Sequence, residues 1–121
     1  MALTFPNSGT YLPTALTTIT TLVTDATLGV KKFKIDLTNL PAGTILNLSL
    51  QVINVSGGSY IEEQNISLAN TIAPTAAPSI GYEPVWESEG IVTQYGFQVQ
   101  AQIISGTLPT TALNWEEASV S

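Results

Sequence analysis

From Tyr95 to Ile103 the chain reads Tyr-Gly-Phe-Gln-Val-Gln-Ala-Gln-Ile, apolar and polar residues in strict alternation. Successive side chains of an extended strand point to opposite faces. Tyr95, Phe97, Val99, Ala101 and Ile103 therefore share one face, and Gly96, Gln98, Gln100 and Gln102 share the other. This is a strand with one buried and one polar side. Its polar side carries amides, which hydrogen-bond in both directions without charge and suit either solvation or pairing with another protein.

The same reading organises the rest of the chain. Thr17 to Thr24 is rich in β-branched residues and reads as a strand. Val30 to Leu37 follows, with Phe33, Ile35 and Leu37 inward and Lys32, Lys34 and Asp36 outward. Thr44 to Val55 places Leu46, Leu48, Leu50 and Val52 inward, and its phase slips near Ile53–Val55, which predicts a bulge. Ser56-Gly57-Gly58-Ser59 predicts a hairpin turn, with both glycines supplying positive φ, into a strand from Tyr60 to Leu68. Val85-Trp86 predicts a short edge strand, Ile91 to Ile104 a long one, and Ala112 to Val120 a last one with Leu113 and Trp115 on one face. No helical period appears. About seven short strands with turn signals between them predict an all-β fold, an antiparallel β-sandwich spanning residues 17–121.

Two stretches resist this pattern. Residues 1–16 contain Pro6 and Pro13, which cannot donate to a ladder, and the turn signal Asn7-Ser8-Gly9. They also carry Leu3, Phe5, Tyr11 and Leu12, which a polar tail would not need. The expectation is an extended N-terminal arm that packs on a neighbouring protein. Asn70 to Gly90 spreads Pro74, Pro78 and Pro84 among small residues and holds Tyr82 and Trp86. Aromatics in such a loop can cap the core, anchor an interface or stack on a sugar. Tyr82 and Trp86 are expected at a protein–protein contact, where such residues are enriched. Trp115, alternating with Leu113, is expected in the core.

Composition narrows the function classes. Charged residues make up 10% of the 121, against about 25% in typical soluble domains. With 44% hydrophobic residues the chain can bury a core, and disorder is not expected. The net charge is −6, and the only cations are Lys31, Lys32 and Lys34 on one predicted strand, read as a solvated face. Nucleic-acid binding needs a basic footprint that this chain lacks. The start has neither the basic segment nor the apolar run of a secretory signal, and no run approaches the length of a membrane span.

The chain has no histidine and no cysteine. Disulfides, thiol chemistry, a Ser-His-Asp or Cys-His centre and the usual zinc ligands are thereby excluded. Carboxylates remain. Glu62-Glu63 and Glu116-Glu117 are neighbours on predicted strands, so each pair splits across two faces, and the spacing of Glu83, Glu87 and Glu89 fits no calcium loop. No catalytic, cofactor-binding or metal-binding residue is assigned, and the chain is expected not to be an enzyme.

Ile35-Asp36-Leu37-Thr38-Asn39-Leu40-Pro41-Ala42-Gly43 resembles the apolar-Asp-Leu-x-x-Leu-x-x-Gly segment of small β-sandwich capsid decoration (cement) proteins of tailed bacteriophages. Ser56-Gly57-Gly58-Ser59-Tyr60 is similar to their glycine-rich hairpin, and Phe97 to Trp115 to their closing unit of Gln-rich strand, Gly loop and late Trp strand. The loop at Ile104-Ser105-Gly106 departs from that pattern in lacking an arginine. The resemblance implies a structural protein on the outer surface of the virion head. Its partner would be the major capsid protein, and it would form a homo-oligomer, with a trimer favoured. It implies no cofactor, nucleic acid or membrane. The rival expectation is a carbohydrate- or receptor-binding module of a tail fibre or baseplate, with Tyr82 and Trp86 as its platform.

Overall fold

A computed structural model describes residues 3–69 and 85–120. Among the described residues nine strands run in chain order: β1 (Leu3–Tyr11), β2 (Thr20–Asp25), β3 (Gly29–Asp36), β4 (Ile45–Val52), β5 (Ile61–Leu68), β6 (Val85–Glu87), β7 (Ile91–Thr93), β8 (Phe97–Ser105) and β9 (Leu113–Val120). All pairings are antiparallel. One sheet has the order β1-β9-β3-β6, with β7 also paired to β3; the other has the order β2-β8-β4-β5. We refer to them as the β3 sheet and the β4 sheet. Among the described residues there is no helix, and the expected antiparallel sandwich is the architecture observed.

The inner faces are those the alternation predicts. Phe33 and Ile35 from β3, Leu46, Leu48 and Leu50 from β4, Phe97, Val99 and Ile103 from β8, and Leu113 from β9 have no accessible surface. Trp115 lies in this core as expected, its ring stacked on Phe33 with centroids 5.8 Å apart. Each such buried side chain contributes roughly 1.5–3 kcal/mol through removal of apolar surface from water.

The described residues hold nine strands rather than about seven for two reasons. The predicted strand Ile91–Ile104 is two strands in different sheets: β7 pairs with β3, and β8 lies between β2 and β4. The chain crosses at Gln94–Gly96, where the Thr93 hydroxyl donates to the Gly96 carbonyl (2.7 Å) and accepts from the Gly96 N–H (3.2 Å). A Cβ on Gly96 would lie 3.1 Å from Ile53 Cδ1 and from the Tyr60 hydroxyl, so the corner is built tightly around it. Tyr95 therefore sits outside β8 and is partly exposed, although the alternation assigned it to the buried face.

The second reason is β1. Residues expected as a separate arm form an edge strand of the domain itself, in register with β9 from Leu3↔Val120 to Tyr11↔Leu113. Pro6 is accommodated because the register shifts between Thr4 and Asn7, so the missing N–H falls at an irregularity of an edge strand. Tyr11 is a core residue at 2% exposure, whereas Leu3, Phe5 and Leu12 remain exposed.

Two smaller expectations also change. The phase slip of the β4–β5 pair lies between Leu50 and Gln51, earlier than the predicted Ile53–Val55, and β4 ends at Val52. In the turn that follows, only Gly57 takes a positive φ (75°); Gly58 is small because a Cβ there would stand 2.9 Å from Val55 Cγ2.

Because β1 covers the edge of β9 and supplies Tyr11 to the core, deletion of residues 3–11 should lower the melting temperature by about 10 °C or more or abolish cooperative unfolding. Circular dichroism on the truncated chain checks this; an unchanged melting temperature would place β1 outside the cooperative unit.

Candidate functional site

The outer face of the β3 sheet carries an apolar row. Leu3 of β1 faces Val120 of β9, Val120 faces Val30 of β3, and Val30 faces Val92 of β7, each a direct cross-strand partner. Four adjacent strands make the row about 14 Å wide. Leu3 is 61% exposed and Val92 76%, with Phe5 of β1 beside them at 53%. Phe5, Leu3, Val30, Ala118 and Val120 border a shallow hollow of about 230 Å³ with Lys32, Lys34 and Glu87 at its rim. Glu87 pairs with Lys32 Nζ at 3.1 Å and with Lys34 Nζ at 3.9 Å. Such exposed pairs contribute little to stability but keep both cations beside the apolar row. Further along the same face Lys34, Asp36, Asn114 and Glu116 line a polar groove.

The outer face of the β4 sheet is different. Gln51 Nε2 donates to Gln100 Oε1 (3.0 Å), Gln98 Nε2 to Gln51 Oε1 (2.9 Å), and Asn47 Nδ2 to Asn65 Oδ1 (2.7 Å). Glu62 accepts from the Ser49 hydroxyl and Asn65 Nδ2, which hold its carboxyl below the usual range. Of the glutamines singled out by the alternation, Gln98 and Gln100 thus both bond to Gln51 of β4, and Gln100 also donates to Thr21 Oγ1 (3.2 Å).

The structure separates the residues expected at an interface. Leu3 and Phe5 join the apolar row, Leu12 is exposed beyond the end of β1, and Tyr11 is buried in the core. Burial raises the Tyr11 phenol to about 12. Tyr82 lies outside the described residues. Trp86 lies on the predicted edge strand, β6, opposite Ile35, and is half-buried against the hydrophobic core. It turns inward because Ile35 is an inward position of β3; the flanking Val85 and Glu87 point out, opposite Asp36 and Lys34. The next residue fixes the strand from its other end: Ser88 Oγ accepts from the Phe33 N–H at 2.9 Å, and the Ser88 N–H donates to the Phe33 carbonyl at 2.9 Å. A half-buried indole facing the core is poorly placed as a stacking platform.

The Glu116-Glu117 pair does split across faces, whereas Glu63 falls at the register shift of β5 and is exposed together with Glu62. Glu116 lies on the outer face of β9 with Lys34, and Glu117 on the inner face opposite Phe33. Glu117 is completely buried, and so is Lys31, which the lysine cluster suggested was solvated. Lys31 Nζ donates to Asp25 Oδ2 (3.2 Å), Thr27 Oγ1 (2.7 Å) and Ser119 Oγ (2.7 Å). The signal was present in the alternation: Lys31 falls in phase with Phe33 and Ile35, and Glu117 in phase with Leu113 and Trp115. Lys31 and Glu117 have no surface open to a substrate, and Asp25 beside them is 7% exposed. Among the described residues, no group of three or more carboxylates is arranged to hold a metal ion.

Comparison with known protein families, with curated proteins and with solved structures finds no match to this chain. What fold and surface define is an antiparallel β-sandwich with an apolar row on one outer face and hydrogen-bonded amides on the other.

Trp86 gives a direct check on its own placement. Trp86→Ala should destabilise folding by about 2 kcal/mol or more, because the truncation leaves a cavity beside Ile35. Denaturant unfolding measures it, and a loss below about 0.5 kcal/mol would mark Trp86 as a surface residue instead.

Proposed function

We propose that the protein is a non-enzymatic structural component of a bacteriophage virion, a decoration protein that binds the outer surface of the head and stabilises it by docking on the major capsid protein, as a homo-oligomer with a trimer favoured. The observation that carries this reading is the row Leu3–Val120–Val30–Val92 with Phe5 beside it. A sheet face of a folded domain normally turns polar residues to water, and a contiguous apolar strip on it suits a protein contact. The resemblance of residues 35–43, 56–60 and 97–115 to phage decoration proteins supplies the identity of that partner. A net charge of −6 suits an outer surface better than one facing packaged DNA. Many copies on one shell would add modest individual contacts through multivalency.

The rival reading, a carbohydrate- or receptor-binding module, draws no support from Trp86, which faces the core, and the amides of the β4 sheet are engaged with each other.

The test is co-sedimentation with DNA-free heads assembled from the major capsid protein encoded alongside this chain. Wild-type protein should bind to a saturating, fixed stoichiometry. Phe5→Glu should weaken binding tenfold or more, about 1.4 kcal/mol, with an unchanged melting temperature, since Phe5 is more than half exposed. Failure to bind heads, together with saturable binding to a glycan array, would favour the rival.

A further inference from the structure

Asp25 at the end of β2, Lys31 of β3 and Glu117 of β9 meet between the two sheets with little or no accessible surface. An ammonium has three N–H donors, and those of Lys31 are all taken, by Asp25, Thr27 and Ser119. Asp25 Oδ1 accepts from the Thr27 N–H (2.9 Å) and hydroxyl (2.6 Å). Asn7 Nδ2 of β1 donates to Glu117 Oε1 at 2.8 Å. Glu117 Oε2 is left buried and without a donor. The charged groups facing Glu117 are Asp25 from the β2 end and Lys31 from β3, while β1 presents the uncharged Asn7. If both carboxyls were ionised, one ammonium would face two carboxylates in a dry site, and one buried negative charge would be uncompensated. A proton on Oε2 removes that charge and turns the orphan oxygen into a donor, with the Asp25 carboxylate beside it as acceptor.

We infer that Glu117 is neutral and shares its proton with Asp25, forming a joint that ties β1 and β2 to β9 in mild acid and loosens as that proton leaves. The inference is independent of the proposed docking partner.

The titration of the two carboxyls sets the window. Burial, reinforced by Asp25, raises Glu117 from 4.5 to about 7, against the opposing Asn7 and Lys31. Burial pushes Asp25 up, but hydrogen bonds from Thr27, Glu117 and Lys31 outweigh it and hold Asp25 at about 2. The unfolded chain loses the Glu117 proton near 4.5 and the folded chain keeps it to about 7. The stability this proton contributes is therefore complete below 4.5, declines between 4.5 and about 7, and is absent above. Asp25 works in the other direction: its contribution is present above 3.8 and disappears as pH falls toward about 2.

The experiment is the pH dependence of thermal unfolding in wild type and Glu117→Gln. The wild-type melting temperature should fall by about 5 °C or more between pH 4.5 and pH 7.5. Glu117→Gln should remove most of that fall, because its amide NH₂ replaces the shared proton while its oxygen still accepts from Asn7. An equal fall in the variant would overturn the inference. Should the variant not fold, the side-chain carboxyl ¹³C shift of Glu117 in the wild type decides: a midpoint near neutrality supports the joint, and one in the usual range near 4.3 overturns it. An intact mass lower by one water would also overturn it, since an amide between Lys31 and Asp25 would leave no carboxylate to share the proton.

Discussion

The gap between the two sheets is the constraint to which the other features answer. Two sheets packed face to face stand about 10 Å apart, so every inward side chain must interdigitate with one from the opposite layer. Phe33 and Trp115 fill this space from neighbouring strands of the β3 sheet, and Phe97, Leu48 and Leu50 from the β4 sheet. The edge strand has to fit the same packing: a Cβ on Gly9 would lie 2.9 Å from the indole of Trp115. Once these inner faces are fixed, period-two geometry fixes which residues point outward, and with them both outer surfaces.

A lysine in such a gap is tolerated only because its ammonium is completely solvated by protein. Asp25, Thr27 and Ser119 replace its water shell, and they come from β2, the following loop and β9. A buried pair of this kind is weak evidence for net stability, but removal of a single partner is costly because it strands a charge. Its placement at the junction of β2, β3 and β9 makes it a joint between layers. Asn7 extends the joint to the edge strand that carries Leu3 and Phe5, so the dry interior and the apolar row are connected through one strand.

The two outer faces answer the same folding constraint differently. On the β4 sheet, short amide side chains pair across strands and satisfy one another. On the β3 sheet, valines and a leucine stand in register across four strands with nothing described above them. This asymmetry directs the functional reading to a docking surface. The acidic chain places both of its exposed cations, Lys32 and Lys34, at the margin of that surface.

The alternation of single strands was enough to determine the all-β sandwich, the inward sets of β3, β4, β8 and β9, the core position of Trp115 and the splitting of Glu116 from Glu117. Each of these depends only on which way neighbouring side chains point along one strand. Lys31 and Glu117 also fall in the inward phase, yet the lysine cluster reads as a solvated face, because a charge inside is believable only once its partners are known. Those partners come from strands far apart in the chain, as Glu117 and Asn7 do, and only tertiary structure brings them together. The same holds for β1, whose prolines and turn residues speak against a ladder until β9 offers an edge tolerant of a register shift. It holds too for the division of residues 91–104 between two sheets, for the inward turn of Trp86, and for the apolar row, whose members lie on four strands and become one surface only through cross-strand register. Local sequence determines the direction of each side chain; strand pairing decides what that side chain meets.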